Sequence, residues 1–387
     1  MKRFLALITV LTFLITVFPV HGLAAEKKLN LAEGAKSAIL IERDTGAVIF
    51  EKNSEEPLPP ASMTKIMTML LIMEALDAGK IKLDEKVRTS EYAASMGGSQ
   101  IFLEEGEEMT VEEMLKAIAI GSANDASVAM AEKIAGSEEN FVDMMNERAK
   151  ELGLKNTKFQ NSTGLPAEDH YSSARDMAIM AKELLKYENI TKYTSMYEDY
   201  LREDTDKKFW LVNTNRLVKF YPGVDGLKTG YTSEAKYCLT ATAKKGDMRT
   251  IAVVMGAATP KDRNKQITQM FDYAFSQFET KPFYAKNEEI GEFPVKKGER
   301  KKLKALAGES VSLLVKKGEK VDDVQKEFVI NKDLHAPIKK GTQIGKIVIS
   351  KDGKVLTENS IISAEDMKTA SWWTLFKRSF GMFTKVN

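Results

Sequence analysis

The stretch from Met63 to Leu76 constrains this chain more than any other. Between Ile66 and Met73 it reads Ile-Met-Thr-Met-Leu-Leu-Ile-Met, apolar on nearly every face at helical spacing. A helix of that kind is buried in the middle of a domain, so the rest of its unit has to wrap around it. Pro59-Pro60 fixes the approach and Gly79 stops the run. The mouth of the helix carries Ser62 and Lys65, three positions apart and therefore on one face, where the amine can reach the hydroxyl. Backbone N–H groups of the helix N-terminus point at the same oxygen. For Lys65 to accept a proton near neutrality its pKa has to fall from about 10.4 to near 7, about 4 kcal/mol, which burial and a second cation both promote. Taken alone, the spacing is more often an N-cap serine followed by a surface lysine.

Scarcity narrows the remaining chemistry. The chain holds three histidines, and His21 falls in a leader-like segment, leaving His170 and His335. Neither is accompanied by Gly-x-Ser-x-Gly, and no His-Glu-x-x-His occurs, so a histidine triad and a helix-borne zinc site are both without support. A single cysteine, Cys238, excludes an intrachain disulfide and reads as a small buried strand residue. With 57 basic and 55 acidic side chains the formal charge is +2, which selects no nucleic-acid partner. No metal and no cofactor is expected.

The first 24 residues read as a signal peptide: Lys2-Arg3, an apolar run from Phe4 to Val20, then the small residues Gly22, Ala24 and Ala25. The alternative is an uncleaved membrane helix; either way the remainder is exported. Residues 34–280 mix antiparallel strands with amphipathic helices. Ala38–Ile41 and Ala47–Phe50 flank Asp44-Thr45-Gly46, and Tyr237–Ala243 and Met248–Met255 flank Gly246-Asp247, giving two hairpins. Between them lie helices opened by the capping box Thr110/Glu113, by Ser137 and by Ser173. Strands at both ends of a helical middle predict an α+β unit.

Two further elements stand beside Ser62 and Lys65. A helix from Thr110 to Ile120 is expected to end in Gly121-Ser122-Ala123-Asn124 and to be followed by another from Asp125 to Ala135, so Ser122 and Asn124 sit on a tight loop that can offer a hydroxyl and an amide to a cleft. By themselves they also read as a helix cap. Farther on, the turn Pro222 to Gly226 leads into Lys228-Thr229-Gly230, where the glycine lets a substrate backbone lie close and the lysine and threonine can hold a carboxylate.

Pro60-Ala61-Ser62-Met63-Thr64-Lys65, Gly97-Gly98-Ser99, Ser122-Ala123-Asn124-Asp125-Ala126 and Val224 to Thr232 together resemble the low-molecular-mass penicillin-binding proteins, serine D-alanyl-D-alanine carboxypeptidases of peptidase family S11 type, nearest those of spore-forming Gram-positive bacteria. The resemblance spans essentially the whole chain after the leader. It implies a serine β-lactamase/penicillin-binding-protein-like fold and removal of the terminal D-alanine from peptidoglycan stem peptides ending in D-Ala-D-Ala, with covalent acylation by β-lactam antibiotics. It also implies roles: Ser62 as nucleophile, Lys65 as base, Ser122 as proton relay, Asn124 as partner of substrate and Lys65, and Lys228 and Thr229 as carboxylate ligands, with the N–H groups of Ser62 and Tyr231 as the oxyanion hole beside Gly230. Ala123 departs from the glycine frequent in relatives, and Arg216 is a further candidate for the carboxylate. A class A β-lactamase would add a Glu-x-x-Leu-Asn between the second and third motifs; here that pattern occurs only as Glu26 to Asn30, ahead of Ser62. A non-catalytic penicillin-binding scaffold would be expected to lose part of the constellation, and this chain keeps every member.

Residues 283–362 read as a small β-rich domain, with short strands such as Val311–Val315 and Ile344–Ile349 separated by Lys297-Gly298, Lys317-Gly318 and Lys340-Gly341. Residues 366–387 read as an amphipathic helix. Trp372, Trp373, Leu375, Phe376, Phe380, Met382 and Phe383 fall on one half and Lys377, Arg378 and Lys385 on the other. At about 1.5 kcal/mol each, such groups give roughly 10 kcal/mol of gross burial, so the helix is expected to hold the protein to a membrane surface at the outer face of the cytoplasmic membrane or in the cell wall.

Overall fold

The computed structural model describes residues 29–321 and 323–383, with side chains to 378; the expected signal peptide lies outside the described residues. Five antiparallel strands form the central sheet: β1 (Ser37–Glu42), β2 (Val48–Lys52), β3 (Val224–Thr232), β4 (Lys236–Lys245) and β5 (Met248–Ala257). Their order is β2-β1-β5-β4-β3, with Leu40 opposite both Phe50 and Ala252 and Lys228 opposite Thr240. Both predicted hairpins are present, and the two ends of the unit meet in one sheet, which makes it α+β.

The apolar stretch becomes α1 (Lys65–Asp77), whose residues from Lys65 to Met73 are all buried. Each Ile, Leu or Met hidden in this way contributes roughly 1.5–3 kcal/mol, so α1 is the axis of the core. Around it lie α2 (Asn124–Ala135), α3 (Glu138–Glu151) and α4 (Ala174–Leu184), while α5 (Pro260–Gln277) packs on β5 and β4. The predicted caps form: Ser137 accepts from Asn140, Ser173 from Asp176, and Thr110 and Glu113 close a reciprocal capping box.

Two local expectations change. The predicted helix at Ser62 starts as a 3₁₀ turn, Ala61–Thr64, with Ala61 at φ +47° and the α-helix beginning only at Lys65. The predicted helix Thr110–Ile120 is α over Val111–Lys116 and then widens into a π-turn over Ala117–Gly121, after which Ser122 takes φ +64°. Both departures tighten or splay the backbone where a polar side chain has to be delivered.

Beyond α5 comes β6 (Phe278–Tyr284), which runs across the junction expected at 280–283 and pairs with β9 (Val311–Lys316). A separate five-stranded sheet is built from β7 (Glu289–Pro294), β8 (Lys302–Ala307), β10 (Gln325–Ile330), β11 (Gln343–Lys351) and β12 (Lys354–Ser363), in the order β7-β8-β12-β11-β10. Leu303, Ile344, Ile347, Ile349 and Ile361 fill its core. Last comes α6 (Trp372–Phe383), whose Trp372, Trp373 and Phe376 are 72%, 56% and 40% exposed and stack on one another. Arg378 donates to the carbonyls of Gly298 and Glu299, fastening this helix to the β unit. The side chains of Phe380, Met382, Phe383 and Lys385 lie outside the described residues. Among the described residues no helix is long and apolar enough to cross a membrane.

Candidate active site

The turn carrying Ser62 is gripped by backbone from two sides. Gly230 of β3 lies so close that a Cβ there would meet the Pro60 carbonyl oxygen at 2.7 Å. From the other side Gly164, at φ +83°, would place a Cβ 1.9 Å from the Ala61 carbonyl oxygen. Gly230 thus admits the protein's own Ser62 turn.

One helical step on, the fully buried Lys65 Nζ donates to Asn124 Oδ1 and to the Thr163 carbonyl, each at 2.6 Å, and lies 3.3 Å from Ser62 Oγ. Burial, reinforced by the Lys228 cation, holds its pKa well below the usual lysine range, while Asp125 and Glu138 pull weakly the other way. Asn124 is itself fixed, donating through Nδ2 to the Gly97 carbonyl at 2.7 Å, with its backbone N–H on the Ser99 carbonyl. Asp125, fully buried, accepts from the N–H groups of Ile101, Leu103 and Ala126 and so holds the 97–103 loop against α2. Ser122 is buried at the end of the π-turn.

β3 is the edge strand of the sheet, and its Thr229, Gly230 and Tyr231 form one wall of a 430 Å³ cavity. Ser62, Ser122, Thr229, Tyr231, Arg216 and Arg263 are among its lining residues. Thr229 Oγ1 donates to Thr214 Oγ1 at 2.7 Å, and Tyr231, half exposed, stacks on Tyr237 with ring centroids 4.5 Å apart. Lys228 is 1% exposed, stands behind the lining, and donates to the Thr229 carbonyl at 3.2 Å. Burial and the neighbouring Arg263 push its pKa down to about 7. Burial lowers the pKa of Arg263, from α5, to about 10, which leaves it charged at neutrality.

The sequence reading missed two contributors. Arg263 stands alone on a distant helix with no motif around it. The other is the loop Asn161-Ser162-Thr163-Gly164, whose Asn161 Oδ1 accepts from Thr163 and Gly164 in an Asx-type turn, the one local signal that could have marked it. His170 is a structural member of this loop. Gln160 N–H donates to its Nδ1, which leaves the proton on Nε2 to be donated to Thr64 Oγ1 at 2.8 Å. Burial lowers its pKa to about 4, so the ring is neutral. Cys238 is buried and free. Among the described residues no group of three or more His, Cys, Asp or Glu could hold a metal.

An antiparallel sheet backed by helices, with Ser-x-x-Lys, Ser-x-Asn and Lys-Thr-Gly brought to one cleft, defines the class of penicillin-binding serine enzymes. Residues 24–259 match the D-alanyl-D-alanine carboxypeptidase family of peptidases, and residues 278–369 match the C-terminal domain of penicillin-binding protein 5. The chain is 64% identical to the D-alanyl-D-alanine carboxypeptidase DacF of Bacillus subtilis over the full length of both. Penicillin-binding protein 5 of Haemophilus influenzae has a similar structure, with a TM-score of 0.67 at 33% identity, covering 87% of this chain and 98% of that one. Penicillin-binding protein D2 of Listeria monocytogenes in its ampicillin-bound form is similar over 64% of this chain and 100% of that one, at a TM-score of 0.55 and 30% identity. The chain belongs to the serine D-alanyl-D-alanine carboxypeptidase family.

Proposed function

We propose that Ser62 is the acylated nucleophile and Lys65 its base in the removal of the terminal D-alanine from peptidoglycan stem peptides. The observation that carries this is the set of partners around Lys65. A neutral amine has two N–H bonds and one lone pair; Asn124 Oδ1 and the Thr163 carbonyl, each at 2.6 Å, take the two hydrogens, and the lone pair is left facing Ser62 Oγ. Lys65 takes the hydroxyl proton as Ser62 Oγ attacks the carbonyl carbon of the scissile D-Ala-D-Ala bond. The N–H groups of Ser62 and Tyr231 receive the developing oxyanion. Ser122 passes the proton to the departing amine, D-alanine leaves, and water hydrolyses the ester.

The substrate's terminal carboxylate enters a cavity with Thr229 and Arg263 on its wall and touches the hydroxyl and the guanidinium, while Lys228 acts on it through its field from behind. Carboxypeptidase rather than β-lactamase chemistry is supported by Lys65's partners, a hydroxyl, an amide oxygen and a backbone carbonyl, none of them a carboxylate that could activate a deacylating water. β-Lactams acylate the same serine, as the ampicillin-bound Listeria relative suggests. The enzyme works at the outer face of the cytoplasmic membrane, with residues 1–24 as export signal and the aromatic face of α6 in the lipid interface. Mass spectrometry after incubation with benzylpenicillin tests the assignment. One penicilloyl group on Ser62, absent from Ser62→Ala, is expected; an adduct elsewhere, or one that persists in the variant, refutes it.

A further inference from the structure

The Thr163 carbonyl that receives a Lys65 hydrogen belongs to a stretch fixed at successive polar atoms. Ser162 N–H and Oγ both donate to Glu138 Oε1, at 2.9 and 2.6 Å. The Ser162 carbonyl accepts from Thr68 Oγ1 at 2.7 Å, and Thr163 N–H donates to Asn161 Oδ1 at 3.2 Å. Ser162 and Thr163 are buried. Glu138 is the first residue of α3, and its other oxygen accepts from the Tyr92 hydroxyl at 2.8 Å. Thr68 and Lys65 are one turn apart on α1, so the loop is braced on α1 by Thr68 and on α3 by Glu138, with Thr163 O held between them.

We propose that Glu138, outside all three motifs and outside the cavity, is a positioning residue for acylation: by holding Ser162 it keeps the Thr163 carbonyl on Lys65 and so keeps the amine's lone pair turned to Ser62. The inference rests on Lys65 being the base. Without that acceptor the amine is free to turn about its Cε–Nζ bond, and its lone pair spends less time on the hydroxyl. The charged groups facing Lys65 are Lys228 from β3, Asp125 from α2 and Glu138 from α3; Tyr92 faces Glu138, and its hydroxyl is pushed up to about 12 by that bond, while His170 at the loop's end is neutral. Losing the Glu138 charge destabilises the Lys65 ammonium. Losing the Thr163 acceptor destabilises it further, because an ammonium has three hydrogens to place. Both effects move the acid limb of the rate profile to lower pH, even as the plateau falls.

The test is the second-order rate of acylation by benzylpenicillin against pH, using the full chain and normalising to sites titrated with labelled penicillin. Glu138→Ala is expected to lower the plateau by about 10- to 100-fold and to move the acid limb to lower pH. Glu138→Gln keeps an acceptor oxygen for Ser162 without the charge, and is expected to recover most of the plateau while retaining part of the pH shift. Ser162→Ala, which keeps only the backbone bond, falls between them. A Glu138→Ala protein that reacts at the wild-type rate per titrated site overturns the proposal, as does an unmoved acid limb or a Gln variant as slow as Ala. Should Glu138→Ala not fold, Glu138→Gln and Ser162→Ala decide the matter through the same two readouts. Failure of the underlying assignment is separate: Lys65→Ala would then acylate as fast as wild type.

Discussion

Replacing Gly164 by alanine tests how tightly Ser62, the proposed nucleophile, is held. The new Cβ would lie 1.9 Å from the Ala61 carbonyl oxygen, 2.4 Å from its carbon and 2.9 Å from Ser62 N. Because such contacts are essentially not found below 3.0 Å, the loop and the Ser62 turn have to part by about 1 Å. The left-handed backbone at φ +83° adds about 1–2 kcal/mol for any residue with a Cβ. A displacement of about 1 Å at a reacting group costs roughly 10²-fold in rate, about 2.7 kcal/mol in barrier. Benzylpenicillin acylation, D-alanine release from a peptide ending in D-Ala-D-Ala, and thermal unfolding separate the effects. Both rates should fall about 100-fold per titrated site, and Tm by roughly 2–4 °C for each kcal/mol lost. A variant that acylates within twofold of wild type, or one whose whole loss is a smaller number of titratable sites, would refute the reasoning.

Arg263→Ala should lose about 10- to 100-fold on substrates ending in a free acid while changing little on the corresponding amide, since a charge-assisted contact is worth about 1.5–3 kcal/mol; kcat/KM on the acid/amide pair measures it, with Lys228→Met expected to discriminate better than Arg263→Ala. His170 titrates near 4 in the fold against about 6.5 unfolded, so below pH 6.5 the unfolded chain takes up a proton that the native chain refuses. Stability therefore drains away as pH falls from 6.5 to 4, by about 3 kcal/mol in all, and urea unfolding at pH 7 and 4.5 should show this slope flattened in His170→Asn. Removing residues 371–387 should release the protein from anionic vesicles in a flotation assay without changing acylation by benzylpenicillin; a truncated protein that still floats would place the attachment elsewhere.

How much could be read in advance depended on whether information sat in side chains or in backbone. Ser62/Lys65, Ser122/Asn124 and Lys228/Thr229/Gly230 are spacings of side chains, and the fold brings all of them to one place. The hairpins and the Thr110 capping box were legible for the same reason. The Thr163 carbonyl was not, because a carbonyl has no residue type and its position depends on Glu138, Thr68 and Asn161, contacts that span up to about 100 positions. Arg263 was invisible because only the packing of α5 on the sheet brings it to the cavity. The 3₁₀ turn lies where Gly164 and Gly230 close on the backbone of Pro60 and Ala61, contacts that no local pattern announces. β6 crosses the expected junction because α5 ends directly in a strand, without the Gly- or Pro-rich linker that would have marked a boundary.

The strand order has a kinetic consequence. β1 is hydrogen-bonded to β5, with Leu40 opposite Ala252, so the central sheet closes a loop of about 200 residues, an entropic debt met before most of the stabilising contacts form. As the chain emerges, the β1–β2 hairpin waits for the β4–β5 hairpin, while α1 is met first by α2, α3 and α4. Ser62 is made early, but β3, which supplies Gly230 to its turn, comes late. A nascent chain therefore lacks the Gly230 contact on the Ser62 turn until β3 arrives, and the turn is completed only with the last part of the sheet.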